Sequence, residues 1–256
     1  MIRSWKAALS VATLALLAAC GGSDDDDPAG TSTGGTATGA TTAQFTQDFK
    51  VDTGGWVGES SDYTAATAPA NVVLESRDIS GLNKDYEGSK AYYISGTNRS
   101  DDLLLYVKKQ FSGLIANTEY TFGVSSLNLL SNAPSGCAGV GGAPGESVYV
   151  IAAASAAEPK AVTTNGDVRL NIDHGNQGTA GAASLVLGNI ANGLPCGSTS
   201  YASKLLRNGT GVKVKTDGEG KVWVLMGIDS GFEATTSIYL QNVTFYFVQV
   251  AATTTT

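Results

Sequence analysis

From Gln44 onward this chain never sets its apolar residues at helical spacing. It gathers them in short β-branched and aromatic runs, each cut off by Gly, Asn, Asp or Pro. An amphipathic helix needs an apolar stripe every three to four residues, whereas a strand needs only alternation or a compact Val/Ile/Tyr/Phe run between turn formers. Eleven segments meet the strand criterion: 44–51, 72–76, 91–95, 103–111, 120–127, 147–153, 168–172, 184–187, 212–216, 221–227 and 237–250. Val212-Lys213-Val214-Lys215 alternates as a strand with one wet face does. The turn chemistry of Asp217-Gly218-Glu219-Gly220 then predicts a hairpin into Lys221-Val222-Trp223-Val224-Leu225. Many strands without an internal repeat predict an all-β fold, a two-sheet antiparallel β-sandwich of jelly-roll-like type.

The first 43 residues read differently. Arg3 and Lys6 precede an apolar run from Ala7 to Ala19, the layout of a secretory signal. At about 13 residues that run is too short to span a bilayer as a helix. Leu17-Ala18-Ala19-Cys20 resembles the lipobox of bacterial lipoproteins. The resemblance implies that Cys20 is lipidated and becomes the mature N-terminus. Gly21, where an inner-membrane retention signal has Asp, implies the outer membrane, at its periplasmic face or the cell surface. Asp24 to Asp27 and the Gly/Thr/Ser/Ala stretch 28–43 hold too little apolar surface to offset ordering entropy and predict a flexible tether. The expected organisation is a signal peptide over 1–19, a lipidated cysteine and tether over 20–43, a sandwich over 44–251 and a frayed tail over 252–256.

Loss of Arg3 and Lys6 with the leader leaves 14 Lys and Arg against 23 Asp and Glu, a net charge near −9. Such a chain lacks the cationic stripes that supply most of the affinity for nucleic acid, so no nucleic-acid partner is expected. Gly139-Val140-Gly141-Gly142-Ala143-Pro144-Gly145-Glu146-Ser147 lacks the Gly-Lys-Ser/Thr ending of a phosphate loop and no helix follows it, so no nucleotide is expected either. Cys137 and Cys196 form an even pair in an exported chain and predict one disulfide. Closing a loop of about 60 residues, it stabilises the fold by roughly 4 kcal/mol on the chain-entropy model.

Catalytic chemistry finds little material. His174 is the sole histidine and stands in Asp173-His174-Gly175-Asn176, which reads as a turn. No Gly-x-Ser-x-Gly elbow supplies a nucleophile, and a Cys/His zinc site fails by count. Asp101, Asp102, Glu146, Asp173, Asp229 and Glu233 lie at strand ends or in Gly-rich loops, where a pair could serve as acid and base on a sugar bond or act as turn formers. Asn98, Asp101 and Asp102 offer oxygen ligands within five residues, suited to a structural Ca²⁺ or to capping a polar turn. Aromatic rings stack on sugar C–H faces while polar neighbours take hydroxyls. On that basis Tyr63, Tyr92 and Trp223, with Arg99 and Asp101, form the expected ligand-binding set. Strand alternation sends only one of Tyr92 and Tyr93 outward. Trp56 is expected in the core.

Three landmarks resemble jelly-roll carbohydrate-binding modules: Phe45-x-x-x-Phe49 running into Gly54-Gly55-Trp56, the segment Phe111-Ser112-Gly113-Leu114 through Tyr120-Thr121-Phe122, and the closing Ile238-Tyr239-Leu240-Gln241-Asn242-Val243-Thr244-Phe245. The block from Tyr93 to Leu103 and the loop from Asn132 to Tyr149 are similar to a group of uncharacterised secreted bacterial lipoproteins, with no activity attached. Lys50 and Gln241 stand where those modules often carry Glu and Asp, so the resemblance does not extend to calcium there. What it implies is non-catalytic binding of a polysaccharide or another extracellular ligand by a membrane-anchored module. A glycan-cleaving enzyme on the same fold and an assembly lipoprotein binding an envelope protein stay open at this point.

Overall fold

A computed structural model of the chain describes residues 39–251. The expected leader, the lipidation expected at Cys20, residues 20–38 of the expected tether and the tail 252–256 lie outside the described residues. The fold is an all-β two-sheet antiparallel sandwich. Seven strands make one sheet: β1 (Thr42–Asp48), β4 (Ala70–Asp78), β5 (Lys90–Thr97), β7 (Glu119–Ser131), β14 (Ala202–Leu206), β15 (Val212–Lys215) and β17 (Thr235–Gln249). The second has five: β2 (Val57–Ser61), β6 (Leu103–Phe111), β8 (Val148–Ser155), β13 (Ser184–Asn189) and β16 (Val222–Ser230). The short strands β3 (Tyr63–Thr64), β9 (Ala161–Thr164) and β10 (Asp167–Leu170) form a third sheet, and β11 (Gly175–Asn176) pairs with β12 (Thr179–Ala180).

The two sheets face each other, and alternation along their strands fills the space between. Leu103, Leu105 and Val107 point inward from β6, as do Val224, Met226 and Ile228 from β16, to meet Phe122, Val124, Leu240, Phe245 and Phe247 of the other sheet. Trp56 is buried as expected, its ring between those of Phe49, Phe111 and Phe245 at 5.9 to 6.2 Å. Edge-on and tilted aromatic pairs at such spacing add to the burial itself.

All eleven segments expected to be strands are strands. Their pairing corrects one expectation. The turn at Asp217 forms, with the Asp217 carboxylate accepting from the Glu219 and Lys221 amides. Yet β15 pairs with β7 and β16 pairs with β6 and β8, so the turn joins opposite sheets rather than a hairpin. The inward faces of β15 and β16, carrying Val214 on one side and Val222, Val224 and Met226 on the other, pack across the core. Burial on both sides of the interior outweighs the local hairpin preference. Cys137 and Cys196 are bonded, with Cα atoms 5.2 Å apart.

Residues 156–183, between β8 and β13, fold back over the outer face of the five-stranded sheet as a flap. Leu170 and Ile172 of the flap cover Leu104, Tyr106, Ile151, Ala153 and Leu225, which point away from the main core. A buried leucine contributes about 1.5–3 kcal/mol by area. This second apolar layer explains why a sheet face that should be wet carries a continuous apolar stripe.

Candidate functional site

The flap hairpin turns on Thr164-Asn165-Gly166-Asp167. Asn165 and Gly166 both have positive φ, 53° and 90°, the two-residue Asn-Gly turn that matches the twist of paired strands. Alternation along β9 and β10 then brings Val162, Thr164, Asp167 and Arg169 to the outward side. With Asn165 and Leu170 they line a pocket of about 370 Å³. Its lining combines two apolar side chains, the exposed Val162 and the buried Leu170, with the amides of Asn165 and Asn171, a hydroxyl, a carboxylate and a guanidinium.

Arg169 is fixed from below by a chain of charges running into the protein. Its Nη1 lies 2.9 Å from Asp102 Oδ2 and 3.6 Å from Asp62 Oδ1. Asp62 Oδ2 lies 3.0 Å from His174 Nε2, which is 3.9 Å from Asp229 Oδ2. Arg169 is half exposed; Asp62, His174 and Asp229 are buried. Asp62 takes φ of 67°, which an aspartate tolerates better than most residues. Its amide donates to the Val168 carbonyl of β10 at 2.9 Å, tying the network to the flap.

Burial sets the protonation states. It pushes Asp229 up to about 7; the Gln177 amide, donating at 2.7 Å, opposes this, while the neighbouring Asp102 charge adds to it. Asp229 Oδ1 is buried without a hydrogen-bond partner. Burial pulls His174 down, but the hydrogen bond and charge of Asp62 and the charge of Asp229 outweigh it, so the imidazolium is favoured. Burial and the Asp62 charge together hold Asp102 above the usual carboxylate range against the pull of Arg169. Two buried groups that each bind a proton more tightly than usual sit 3.9 Å apart.

At the other end of the flap Lys108 is almost fully buried. Its Nζ lies 2.7 Å from Glu59 and 2.9 Å from Glu158, and donates to the Pro159 carbonyl at 2.8 Å. Tyr106 donates to the second Glu59 oxygen at 2.6 Å. Burial raises Glu59, yet its bonds from Lys108 and Tyr106 win and its carboxyl lies below the usual value.

The residues expected to bind ligand do not form one site. Tyr92 is corrected to a core residue: it is 3% exposed, its ring 5.7 Å from Phe49 and its hydroxyl donating to the Leu74 carbonyl. Alternation sends Tyr93 outward instead, where Arg77 covers one face at 4.0 Å and Tyr239 lies 4.7 Å away. Tyr63 is half-buried against the main core. Trp223 is half-buried opposite Gln110 on β6, seven residues from Leu103 and so roughly 23 Å from the Asp101 end of that strand. Arg99 and Asp101 are exposed in the loop before β6, where Asp101 has φ of 58° and its carbonyl accepts from Gln177.

The proposed metal ligands also have other partners. Asn98 Nδ2 donates to the Ser230 and Phe232 carbonyls, and its Oδ1 accepts from the amide and hydroxyl of Ser100. Asp102 pairs with Arg169. Among the described residues no group of three His, Cys, Asp or Glu is arranged to hold a metal. The polar-turn alternative is what Asn98 adopts.

Sequence reasoning took His174 for a turn residue and passed over Asp62, Arg169 and the flap pocket. Asn165-Gly166 between Val162-Thr163 and Val168 was the available signal, a hairpin motif in its usual setting. His174 sits beside a turn but is 9% exposed. Its burial depends on Asp62, 112 residues earlier, and no local pattern carries that contact.

No family model matches the chain, and no curated protein does. Several solved structures are similar to the chain at low identity. A carbohydrate-binding module studied for specific mannan recognition matches at 11% identity and a TM-score of 0.38, over 81% of this chain and 98% of that one. A module in complex with β-1,4-galactotriose matches at 9% and 0.30, over 77% and 90%. A cleaved adhesin domain of Lys-gingipain from Porphyromonas gingivalis matches at 11% and 0.36, over 79% and 97%.

Proposed function

We propose that this protein is a lipid-anchored envelope protein whose sandwich binds a polysaccharide without cleaving it. The observation that carries the reading is the flap pocket, lined by apolar Val162 and Leu170 beside polar Thr164, Asn165, Asp167 and Arg169. Binding sites for small neutral ligands combine apolar lining with a few placed polar groups, and a sugar presents C–H faces beside hydroxyls. Arg169 is preorganised by Asp102 and Asp62, which lowers the ordering cost of binding.

Two points favour binding over cleavage. Asp62 and Asp229 are buried under the flap, out of reach of a glycosidic bond at the surface. The Ser61 hydroxyl donates to Asp62 rather than to His174, so the imidazole is not set to take its proton as a nucleophilic triad requires. The anchor at Cys20 belongs to the same reading: a tethered module concentrates its ligand at the envelope.

A glycan array probed with the full chain, with calcium and with chelator, tests the function. Selective retention of one polysaccharide class, with no new chain ends and at least tenfold weaker retention by Asp167→Ala, is the expected result. Silence on all glycans, or release of cleaved products, contradicts it. Loss of retention in chelator alone would add a structural calcium. Mass spectrometry of the mature chain checks the anchor, with acyl mass on Cys20 expected and an unmodified cysteine contradicting it.

A further inference from the structure

We propose that a second pocket, at the end of the sandwich beside the disulfide, binds a single uncharged pyranose ring. Its ligand class rests on the glycan reading; its location does not. The pocket has about 230 Å³. That lies below the roughly 300–1,000 Å³ of sites for drug-sized ligands and fits one ring rather than a chain. Pro134, Pro144, Ile190 and Phe232 wall it with apolar surface, and no charged residue lines it.

Two polar side chains that line this pocket make no hydrogen bond among the described residues. Thr236 is 6% exposed, and its hydroxyl is buried with no hydrogen-bond partner. An orphan hydroxyl of that kind costs about 1–3 kcal/mol of desolvation. Asn132, half-buried, also lines the pocket, its side chain without a hydrogen bond among the described residues. Beside them, Ser237 exchanges a hydrogen bond with Tyr201 at 2.9 Å, which fixes the rim. An amide and a hydroxyl facing proline and phenylalanine match a ring with one C–H face and adjacent hydroxyls. A charged ligand would find no counter-ion.

The walls are preformed. The Ser135 amide donates to the Leu194 carbonyl and the Asn192 amide to the Ala133 carbonyl, joining the two loops that Cys137 and Cys196 also link. The Phe232 carbonyl accepts from Asn98, Ser230 and the Ala234 amide. The Ile190 amide donates to Gly145 and Val148. A site held on both sides by covalent and hydrogen-bonded ties needs little ordering to bind.

Ligand-observed NMR titrations of the full chain with methyl pyranosides of glucose, galactose, mannose and N-acetylglucosamine test the pocket. At least one is expected to bind, and Thr236→Val and Asn132→Ala should each weaken it about fivefold, the scale of one lost hydrogen bond. Asp167→Ala, in the flap pocket, should leave that binding unchanged. Thr236→Val should unfold no lower than wild type, because it removes an unpaired hydroxyl, so weaker binding cannot be assigned to misfolding. The pocket is overturned if no pyranoside binds, or if Thr236→Val and Asn132→Ala bind as wild type does. Oligosaccharide binding that is lost in Asp167→Ala, while no methyl pyranoside binds the chain, would sink this inference and spare the glycan reading. No glycan bound at either place would overturn both.

Discussion

Asp229 and His174 link the acid–base behaviour of the protein to the seating of its flap. Both bind a proton more tightly in the folded state than in the unfolded chain. The folded state therefore carries more protons over the interval from the ordinary aspartate value to about 7 for Asp229, and above the ordinary histidine value for His174. Stability from these groups is full at low pH and is lost as pH rises through their folded values. The groups facing them are Asp62, Asp102 and Arg169, and of these Asp102 is shifted in the same direction. Melting temperature is thus expected to fall as pH rises from about 4 to about 7, and Asp229→Asn should flatten that slope; a slope unchanged in the variant would contradict the assignment. Lys108 gives a second residue-scale test. Loss of one partner of a buried pair costs about 3–5 kcal/mol, but Glu59 and Glu158 are partly exposed and rehydrate. Lys108→Met should therefore destabilise by about 1–3 kcal/mol in denaturant titration.

Among the elements, the flap is the part held by the fewest backbone ladders and the part that forms the candidate site. Its β9–β10 hairpin meets the rest through β3, through Leu170 and Ile172, and through charged groups at both ends. Such a unit opens before the central strands do. Amides of β9 and β10 are expected to exchange with deuterium faster than those of β7 and β17, and Leu170→Ala should speed them further while leaving β17 unchanged. A uniform effect on all strands would show that the flap is not a separate unit. The long strands were legible because each is a run of core residues read from its own sequence, as in Leu103-Leu104-Leu105-Tyr106-Val107. That run is buried on both faces, and the second face is a clue to the flap that local reading does not use. Partnering was not legible: the turn at Asp217 looks like a hairpin because only the tertiary structure sends its strands to different sheets. Tyr92 and Tyr93 show the same limit, since alternation separates them but does not say which one faces in.

For the molecule as a whole, two sheets, a buried aromatic core and one disulfide make a rigid support for loops. Removing the bridge with Cys137→Ser and Cys196→Ser should lower stability by roughly 4 kcal/mol on the loop-entropy model, with the sandwich still folded by circular dichroism. The charged network beneath the candidate site was less legible than the fold because its members come from four distant stretches, around Asp62, Asp102, Arg169 and Asp229. The central claim is that the outward face of the flap is where a polysaccharide binds. Mapping backbone amide shifts as a retained glycan is titrated in tests it directly. Shifts concentrated at Thr164, Asn165, Asp167 and Arg169 are the result this account requires; shifts confined to other surfaces, with the flap silent, would contradict it.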